Sequence, residues 1–511
     1  MNGVLHWKAM DGILIKRFMQ RRAAAILILV LLAALSLKAH VGSANVFFEG
    51  DAGPYHLFVT VLVPQVIPGV AQIQVRSEGN DVEKIEIVPM RLTGAGSNLA
   101  PTPDVAERSK QDPQFFTGSL WLMEFGALKV RVTAEGRKGT GELAVPVPAF
   151  AQRSLPMNKS LGGLLMFLTI FLALGLVFIA GAATREGNLE PGESPLPART
   201  RRARVVMAIT AVFVLAILYL GNAWWGAEAK NYSRDIAIFK PPIAETSLEN
   251  GNRLVIRARG QDPQWSKYVK IEEVIPDHGH LMHLFLIGTP GLDRLWHLHP
   301  NRSGSSFVDD LPPMPAGHYR VFADIVSKGG FPWTLVGQID LPRTNGPSLC
   351  GDDSAWSGPP LARSAVGSSV AQLPDGGRLV WERPADPIIV NAALSLRFKV
   401  EDKDGNPAQD VQPYMGMAGH AEIVSSDLSV FAHIHPAGSV SMAAVELANS
   451  QVESGARELL GGQMAMTPDS GPLAPEVSFP YGFPKADTYR IFVQIKRSGQ
   501  IETGVFDVQV E

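Results

Sequence analysis

The spacing of apolar and polar residues predicts short β-strands separated by turns along most of the chain. Between residues 40 and 155, runs such as 56–64, 84–90 and 128–136 alternate with a period of two. This period places successive side chains on opposite faces of a strand, and closely spaced runs of this kind are typical of an all-β sandwich. The pattern therefore predicts an N-terminal β-sandwich over residues 40–155 that needs no ligand.

Two long apolar stretches interrupt the strand pattern and predict transmembrane helices. Residues 161–184 and 205–225 are each long enough to cross a bilayer, and the second ends in a tryptophan pair suited to the membrane interface. The loop between them, 185–204, contains five arginines and is predicted to be cytoplasmic. The regions on either side of this anchor are then expected on the outer face of a bacterial inner membrane, in the periplasm or cell exterior.

The N-terminus supports the same topology. A basic segment precedes an apolar run at 23–37, whose length of about 15 residues suits a signal-peptide core. Residues 1–39 are therefore predicted to be a signal peptide or a retained signal anchor. Cleavage after Ala39 would make His40 a chelating N-terminus, whereas cleavage after Ala44 would remove it.

A histidine-rich strand pattern occurs twice in the C-terminal half. DHGHLMHLFLI (277–287) precedes LWHLHP (295–300), and YMGMAGHAEIV (414–424) precedes VFAHIHP (430–436). Such repetition indicates a duplicated structural unit. It predicts two β-sandwich repeats, 251–342 and 376–511, with linkers at 226–250 and 343–375.

The aligned positions of the two copies form a candidate metal site in each repeat. Residues two apart on a strand share a face about 6.5–7 Å apart, and a hairpin partner can add a third ligand. Imidazole with thioether favours copper over magnesium, calcium or manganese, and zinc is the second choice. Asp277 and Asp427 are candidates to orient the imidazoles, and Met442 could reach the rim. The predicted ligands are His278, His280, His283, His297 and His299 in the first repeat, and Met415, Met417, His420, His433 and His435 in the second.

The second copy and its surroundings also carry a family resemblance. The segment DGNPAQDVQPYMGMAGHAEIVSSDLSVFAHIHP, 404–436, resembles the YtkA-like and FixH-like immunoglobulin-type modules of secreted bacterial proteins. The resemblance covers 376–511 well, 251–342 more loosely, and the N-terminal domain only in one segment. It implies immunoglobulin-like sandwich domains outside the cytoplasm, of a kind often encoded beside copper-handling genes, and leaves the activity open.

Two interpretations of the repeats remain. One is a membrane-anchored protein for copper sequestration, sensing or delivery. The other is a metal-free immunoglobulin-like scaffold, in which the histidines bond backbone groups at turns and the methionines fill the core.

Composition and motifs argue against other classes. A formal net charge of −3 without a basic stripe argues against nucleic-acid binding. The chain has no GxSxG, HExxH or Walker motif, so no enzyme class is favoured. Cys350 is the only cysteine and lies in a Gly/Pro/Ser-rich stretch, which argues against a disulfide and a blue-copper site.

Overall fold

Most of the described chain is β-sheet, joined to two long apolar helices. The computed structural model describes residues 45–190, 192–362, 367–450 and 473–511. Sandwich-like sheets and the two helices confirm this part of the predicted fold class. The predicted signal segment, 1–39, and His40 lie outside the described residues.

The N-terminal domain is a single folded sheet of eight strands, in which β5 joins the two halves. The sheet order is β1-β2-β3-β6-β5-β4-β7-β8, and the strand interiors alternate buried and exposed as the sequence predicts. Inward-facing residues such as Leu57, Ile73 and Val130 form its core. The strands are β1 (Val46–Ala52), β2 (Tyr55–Leu62), β3 (Gly69–Ser77), β4 (Val82–Arg91), β5 (Asp104–Arg108), β6 (Phe115–Leu122), β7 (Gly126–Gly136) and β8 (Gly139–Ala149).

Two helices follow, and both are long and apolar enough to cross a membrane. Helix α1 spans Lys159–Glu186, and the Asn158 side chain caps its N-terminus by accepting hydrogen bonds from two backbone amides. Helix α2 spans Pro197–Ile238 and continues well beyond the predicted transmembrane stretch.

The extension of α2 replaces most of the linker predicted at 226–250. Its last turns pack on the protein: Ile238 is buried in the core of the first repeat, and the Tyr232 hydroxyl accepts a hydrogen bond from the Ile67 amide at 3.2 Å. Tertiary packing therefore keeps the segment helical, and the sequence pattern alone does not report that packing.

The first repeat forms a nine-stranded folded sheet that begins at residue 243, before the predicted boundary at 251. The sheet order is β13-β14-β10-β9-β16-β15-β11-β12-β17. A short helix, α3 (Trp265–Tyr268), and a 3-10 turn at Ile271–Glu273 cover one side. The strands are β9 (Ile243–Glu249), β10 (Arg253–Arg259), β11 (His283–Thr289), β12 (Arg294–Leu298), β13 (Asn301–Ser303), β14 (Ser306–Asp310), β15 (Gly317–Val326), β16 (Pro332–Leu341) and β17 (Ser354–Ser357).

The second repeat has two facing sheets and one short helix, α4 (Met442–Ser450). One sheet has the order β18-β19-β20-β24, and the other places β25 between β21, β22 and β26, with β23 at its edge. The predicted linker 343–375 therefore contains two short strands, one from each repeat. The strands are β18 (Val370–Gln372), β19 (Arg378–Trp381), β20 (Leu394–Glu401), β21 (Val411–Gln412), β22 (His420–Ser425), β23 (Phe431–Ile434), β24 (Glu476–Tyr481), β25 (Asp487–Arg497) and β26 (Gln500–Val510).

Equivalent faces of the two repeats pack directly against each other. In β11, Leu284 and Leu286 enter the core of their own sandwich, whereas Phe285 and Ile287 face the second repeat. Phe322 of β15 stacks in parallel on Phe431 of β23, with ring centroids 4.2 Å apart. This arrangement resembles the interface of a twofold dimer, in which one patch meets its own copy.

Candidate metal centre

The same two-residue turn precedes the histidine hairpin in both repeats. His278 and Gly279 have φ values of 52° and 84°, and Met415 and Gly416 have values of 49° and 81°. Positive φ at both central residues is characteristic of a type I′ turn. In each copy, the flanking residues also exchange backbone hydrogen bonds. His278 and Met415 therefore occupy equivalent turn positions in the structure, as the sequence alignment predicts.

The strand register then places the remaining histidines on the inter-repeat face. Phe285 pairs with His297 in the first hairpin, and Glu422 pairs with His433 in the second, which are equivalent positions. His283 and His420 begin their strands on the same face because side chains two apart lie on one side.

All eight predicted histidines converge where the two repeats meet. This differs from the expectation of one separate site per repeat. The outward faces of both hairpins pack against each other, so ligands from both copies meet in the same volume. Two triads have ligand atoms within 4.8 Å of one another. The composite triad combines the two repeats and consists of His278, His420 and His435. The other triad lies within the first repeat and consists of His283, His297 and His299.

Nitrogen atoms approach closely in both triads. His278 Nε2 lies 3.0 Å from His435 Nε2, and His283 Nδ1 lies 3.2 Å from His297 Nε2. His433 lies between the triads, with its ring centroid 5.2 Å from that of His283 and 5.5 Å from that of His420. The rings of His280 and His299 stack 3.9 Å apart.

Outer partners orient several of these rings. His435 Nδ1 donates to the Val440 carbonyl at 3.1 Å, and His283 Nε2 donates to the Asp277 carbonyl at 3.0 Å. His297 Nδ1 lies 2.9 Å from an amide oxygen of Gln494. When one nitrogen donates outward, the other faces inward with a lone pair, as in protein metal sites.

Burial keeps the imidazoles neutral. It lowers the pKa of His278 to about 3, and the nearby His283 and His280 lower this pKa further. Burial also lowers the pKa of His435 to about 3, with a smaller lowering by His278 and a partial opposing effect of Asp277. Burial also lowers the pKa of every other member of the two triads: His283, His297, His299 and His420. Neutral imidazole is the form that binds metals.

Several buried polar atoms in the cluster have no hydrogen-bond partner among the described residues. They include both ring nitrogens of His420, Nε2 of His299 and of His433, and both carboxylate oxygens of Glu422. Burial of an unpaired polar group is unfavourable unless a ligand, ion or water satisfies it. A metal ion would satisfy the inward-facing nitrogen lone pairs, so these residues fit a bound metal.

The predicted methionine ligands behave differently from the histidines. Met417 and Met442 are buried in the apolar core cluster of the N-terminal sandwich, where α4 and the 437–439 loop meet it. Met415 is partly exposed on its turn. Packing against β1 therefore takes the Met417 and Met442 thioethers into a hydrophobic environment.

Of the two aspartates expected to orient imidazoles, only Asp277 is at the cluster. Its carbonyl accepts from His283, and its carboxylate accepts from the Ala443 amide at the start of α4. The expectation for Asp427 is wrong. Its carboxylate bonds Ser425, Ser429 and Lys485 in a surface turn.

Sequence reasoning missed four carboxyl groups around the histidines. Asp353 accepts from His299 at 2.9 Å, and Asp352 lies 3.4 Å from His280. Asp324 lies 3.5 Å from His433 Nδ1, and burial raises its pKa to about 7. The fourth, Glu422, is 3.8 Å from His297. For Glu422, two residues from the aligned His420, and for Asp324, at an aligned position of β15, the sequence offered a signal; Asp352 and Asp353 lie in the predicted linker, where it offered none.

Comparison with known proteins gives one family and no function. A search of curated sequences finds no significant match. The solved structures found include the ICAM-5 D1–D4 ectodomain fragment, at 8% identity and a TM-score of 0.15, over 89% of this chain and 77% of that one. MtrC from Shewanella baltica OS185 also has 8% identity and a TM-score of 0.15, over 57% and 71%. Such scores assign neither fold nor function. Residues 375–511 match the model of a family described as a domain of unknown function, DUF8832.

Proposed function

We propose that the protein is a membrane-anchored, outward-facing metal-binding protein, with copper as the favoured ion and zinc as the second choice. The observation that supports this most is the convergence of eight histidines from both repeats in one buried cluster. Its role would be copper sequestration, sensing or delivery to other metal-handling proteins. The resemblance of the second repeat to YtkA-like and FixH-like immunoglobulin-type modules agrees with such a role.

The spacing of the nitrogens suits ligands of one ion. A metal–nitrogen bond of about 2.0–2.1 Å places two ligands of one ion about 2.9–3.4 Å apart, depending on the geometry. The two closest pairs, at 3.0 and 3.2 Å, fall in this range. Two triads give a capacity of two ions per chain. An all-imidazole set suits Cu(II) and zinc, and Cu(II) binds most tightly among divalent ions of this series.

The two apolar helices support a membrane location. With the arginine-rich loop inside, both β-rich regions would lie in the periplasm or cell exterior, after export directed by the N-terminal segment. The cluster would then meet metal ions outside the cytoplasm.

Metal analysis of the full-length protein in detergent tests this proposal. The protein is stripped with a chelator, loaded separately with Cu(II) and Zn(II), dialysed and analysed for bound metal. The variant His420→Ala/His435→Ala removes two ligands from the composite triad, and His283→Ala/His297→Ala removes two from the other. His318→Ala is the matched control, because His318 is exposed and pairs with Asp340 away from the cluster.

We expect about two copper ions per wild-type chain, about one in each double variant, and no change in the control. A wild-type protein that retains no copper or zinc would refute the proposal, as would an equal loss in the His318 control. The metal-free variants should melt at the same temperature as metal-free wild type, which would show that their loss of copper is not due to unfolding.

A further inference from the structure

A cavity of about 600 Å³ opens beside the histidine cluster. It lies over the outer face of β15 and β16. It is closed by β23, by the N-terminal domain and by the segment that follows α2. Its lining includes His433, His435, Asp277 and Asp324, and Arg320 lies four residues before Asp324 on β15. Four residues of extended strand separate Arg320 from Asp324 by about 13 Å. This volume is typical of sites for small organic ligands.

The walls of the cavity combine apolar surface with unpaired donors. Phe239, Phe331 and Trp333 provide aromatic surface, with the Phe239 and Trp333 rings stacked 5.6 Å apart. Three lining residues have a buried donor atom without a partner among the described residues: Arg320 Nε, Trp333 Nε1 and Tyr481 Oη. These three atoms are closed off from the cavity itself, so an oxyanion bound there would pair with the terminal guanidinium nitrogens of Arg320.

The duplication provides an internal comparison for Arg320. Its equivalent in the second repeat, Arg490, is fully paired: it forms two hydrogen bonds to Asp507, at 2.7 and 2.9 Å, and donates to two backbone carbonyls. Arg320 has no carboxylate partner in the part of the chain that the structure describes, although it is partly buried. The second repeat thus provides a carboxylate partner for Arg490, whereas Arg320 lines a cavity and has no such partner among the described residues.

We infer that this cavity binds a small organic anion with an aromatic or otherwise apolar body, whose anionic group pairs with Arg320. Lys240, which also lines the cavity, adds a second positive charge. The apolar body would lie against Phe331 and Trp333. This inference does not require a bound metal, although a ligand of sufficient length would reach His433.

Calorimetric titration with 2-naphthoate tests the inference. The full-length protein is reconstituted in lipid nanodiscs, and empty nanodiscs measure partition of the probe into lipid. The neutral analogue 2-naphthylmethanol isolates the contribution of charge. Arg320→Gln removes the cation, and Arg257→Gln is the matched control, because Arg257 is an exposed arginine on β10 of the same repeat.

We expect saturable binding of one 2-naphthoate per wild-type chain and of the Arg257 control, and affinity at least about 10-fold weaker for Arg320→Gln. The alcohol should bind at least about 10-fold more weakly than the acid. The inference is wrong if 2-naphthoate gives no saturable signal above empty nanodiscs, or if acid and alcohol bind equally. Equal binding by Arg320→Gln and wild type would also overturn it.

Parallel titrations of metal-free and copper-loaded protein separate the two proposals. Saturable binding of 2-naphthoate by a wild-type protein that retains neither copper nor zinc after loading would support the cavity and refute the metal centre. Copper retention without saturable 2-naphthoate binding would have the opposite meaning.

Discussion

Replacement of Glu422 by methionine should stabilise the metal-free protein. Glu422 lies on β22, its side chain is fully buried, and neither carboxylate oxygen has a hydrogen-bond partner among the described residues. The equivalent position in the first repeat is Phe285, an apolar residue in the contact between the repeats. Methionine is unbranched and flexible, so it can occupy the space of a glutamate with little strain.

The expected gain follows from the cost of the unpaired group. A buried polar group without a partner costs about 1–3 kcal/mol, so Glu422→Met should raise the free energy of unfolding by about that amount in the absence of metal. In a folding unit of about 150–250 residues, each kcal/mol of added unfolding free energy raises the melting temperature by about 2–4 °C. The melting temperature should therefore rise by about 2–12 °C.

The gain should also depend on pH. Burial raises the pKa of Glu422 well above the ordinary value of 4.5. The folded chain therefore holds a proton that the unfolded chain releases, and this contribution to stability is complete below pH 4.5 and declines as the pH rises towards the folded-state pKa. The advantage of the variant over wild type should consequently be larger at pH 7.5 than at pH 4.5.

Melting temperatures of the chelator-treated full-length protein, in detergent at both pH values, provide the measurement. Glu422→Gln is the control, because it keeps an unpaired polar group of similar size but cannot ionise. It should show little of the gain at pH 4.5, and at pH 7.5 only the part that comes from removing the titrating carboxyl. A metal-free Glu422→Met protein that melts below wild type at pH 7.5 would show that Glu422 is satisfied in the folded state and would refute this reasoning.

Three further changes test the contact between the repeats. Asp507→Ala should destabilise the protein by about 3 kcal/mol, because it leaves the buried Arg490 with only carbonyl acceptors; an unchanged denaturation midpoint would contradict this. Phe322→Ala should cost about 3–5 kcal/mol and weaken copper binding, since it removes the parallel stack that joins β15 of the first repeat to Phe431 of the second hairpin. Unfolding is measured by calorimetry, and Phe322→Leu, which should lose less, is the comparison. As the pH falls from 6.5 to 5, metal-free wild type should lose stability relative to a His278→Gln/His435→Gln variant, because the unfolded wild-type chain takes up protons that these histidines, with pKa values of about 3, do not bind when folded. The raised pKa values of Glu422 and Asp324 act in the opposite direction but are common to both proteins; an equal change of melting temperature in the two proteins would contradict the assignment.

The strands, the hairpin turns and the alignment of the two copies could be predicted because they depend on local properties. Period-two alternation identifies β3, and a turn with a glycine at the second central position produces the same backbone at His278 and Met415. Two helices of membrane-spanning length follow from uninterrupted apolar sequence. Each of these signals lies within about twenty consecutive residues.

The composite character of the cluster could not be predicted from alternation, because the pattern reports which side chains share a face but not what covers that face. The run HLFLI in β11 nevertheless contains a signal. All five of these residues are buried, which occurs when a strand is covered on both sides. A half-exposed strand would have polar residues at Phe285 and Ile287. The continuous apolar run therefore indicated a second covering layer, and the equivalent face of the other repeat is that layer.

Because equivalent faces of the two repeats pack against each other, a sequence difference in one repeat changes the surroundings of the histidines in both. The composite triad takes His278 from the first repeat, and His420 and His435 from the second. Exchanging each residue for its aligned equivalent gives Met415, His283 and His299, so the reciprocal set would contain a thioether in place of an imidazole. In the structure, His283 and His299 are instead grouped with His297. The two triads are therefore not related by exchange of the repeats: the composite triad contains His278, whose equivalent is Met415, and the other triad lies within the first repeat.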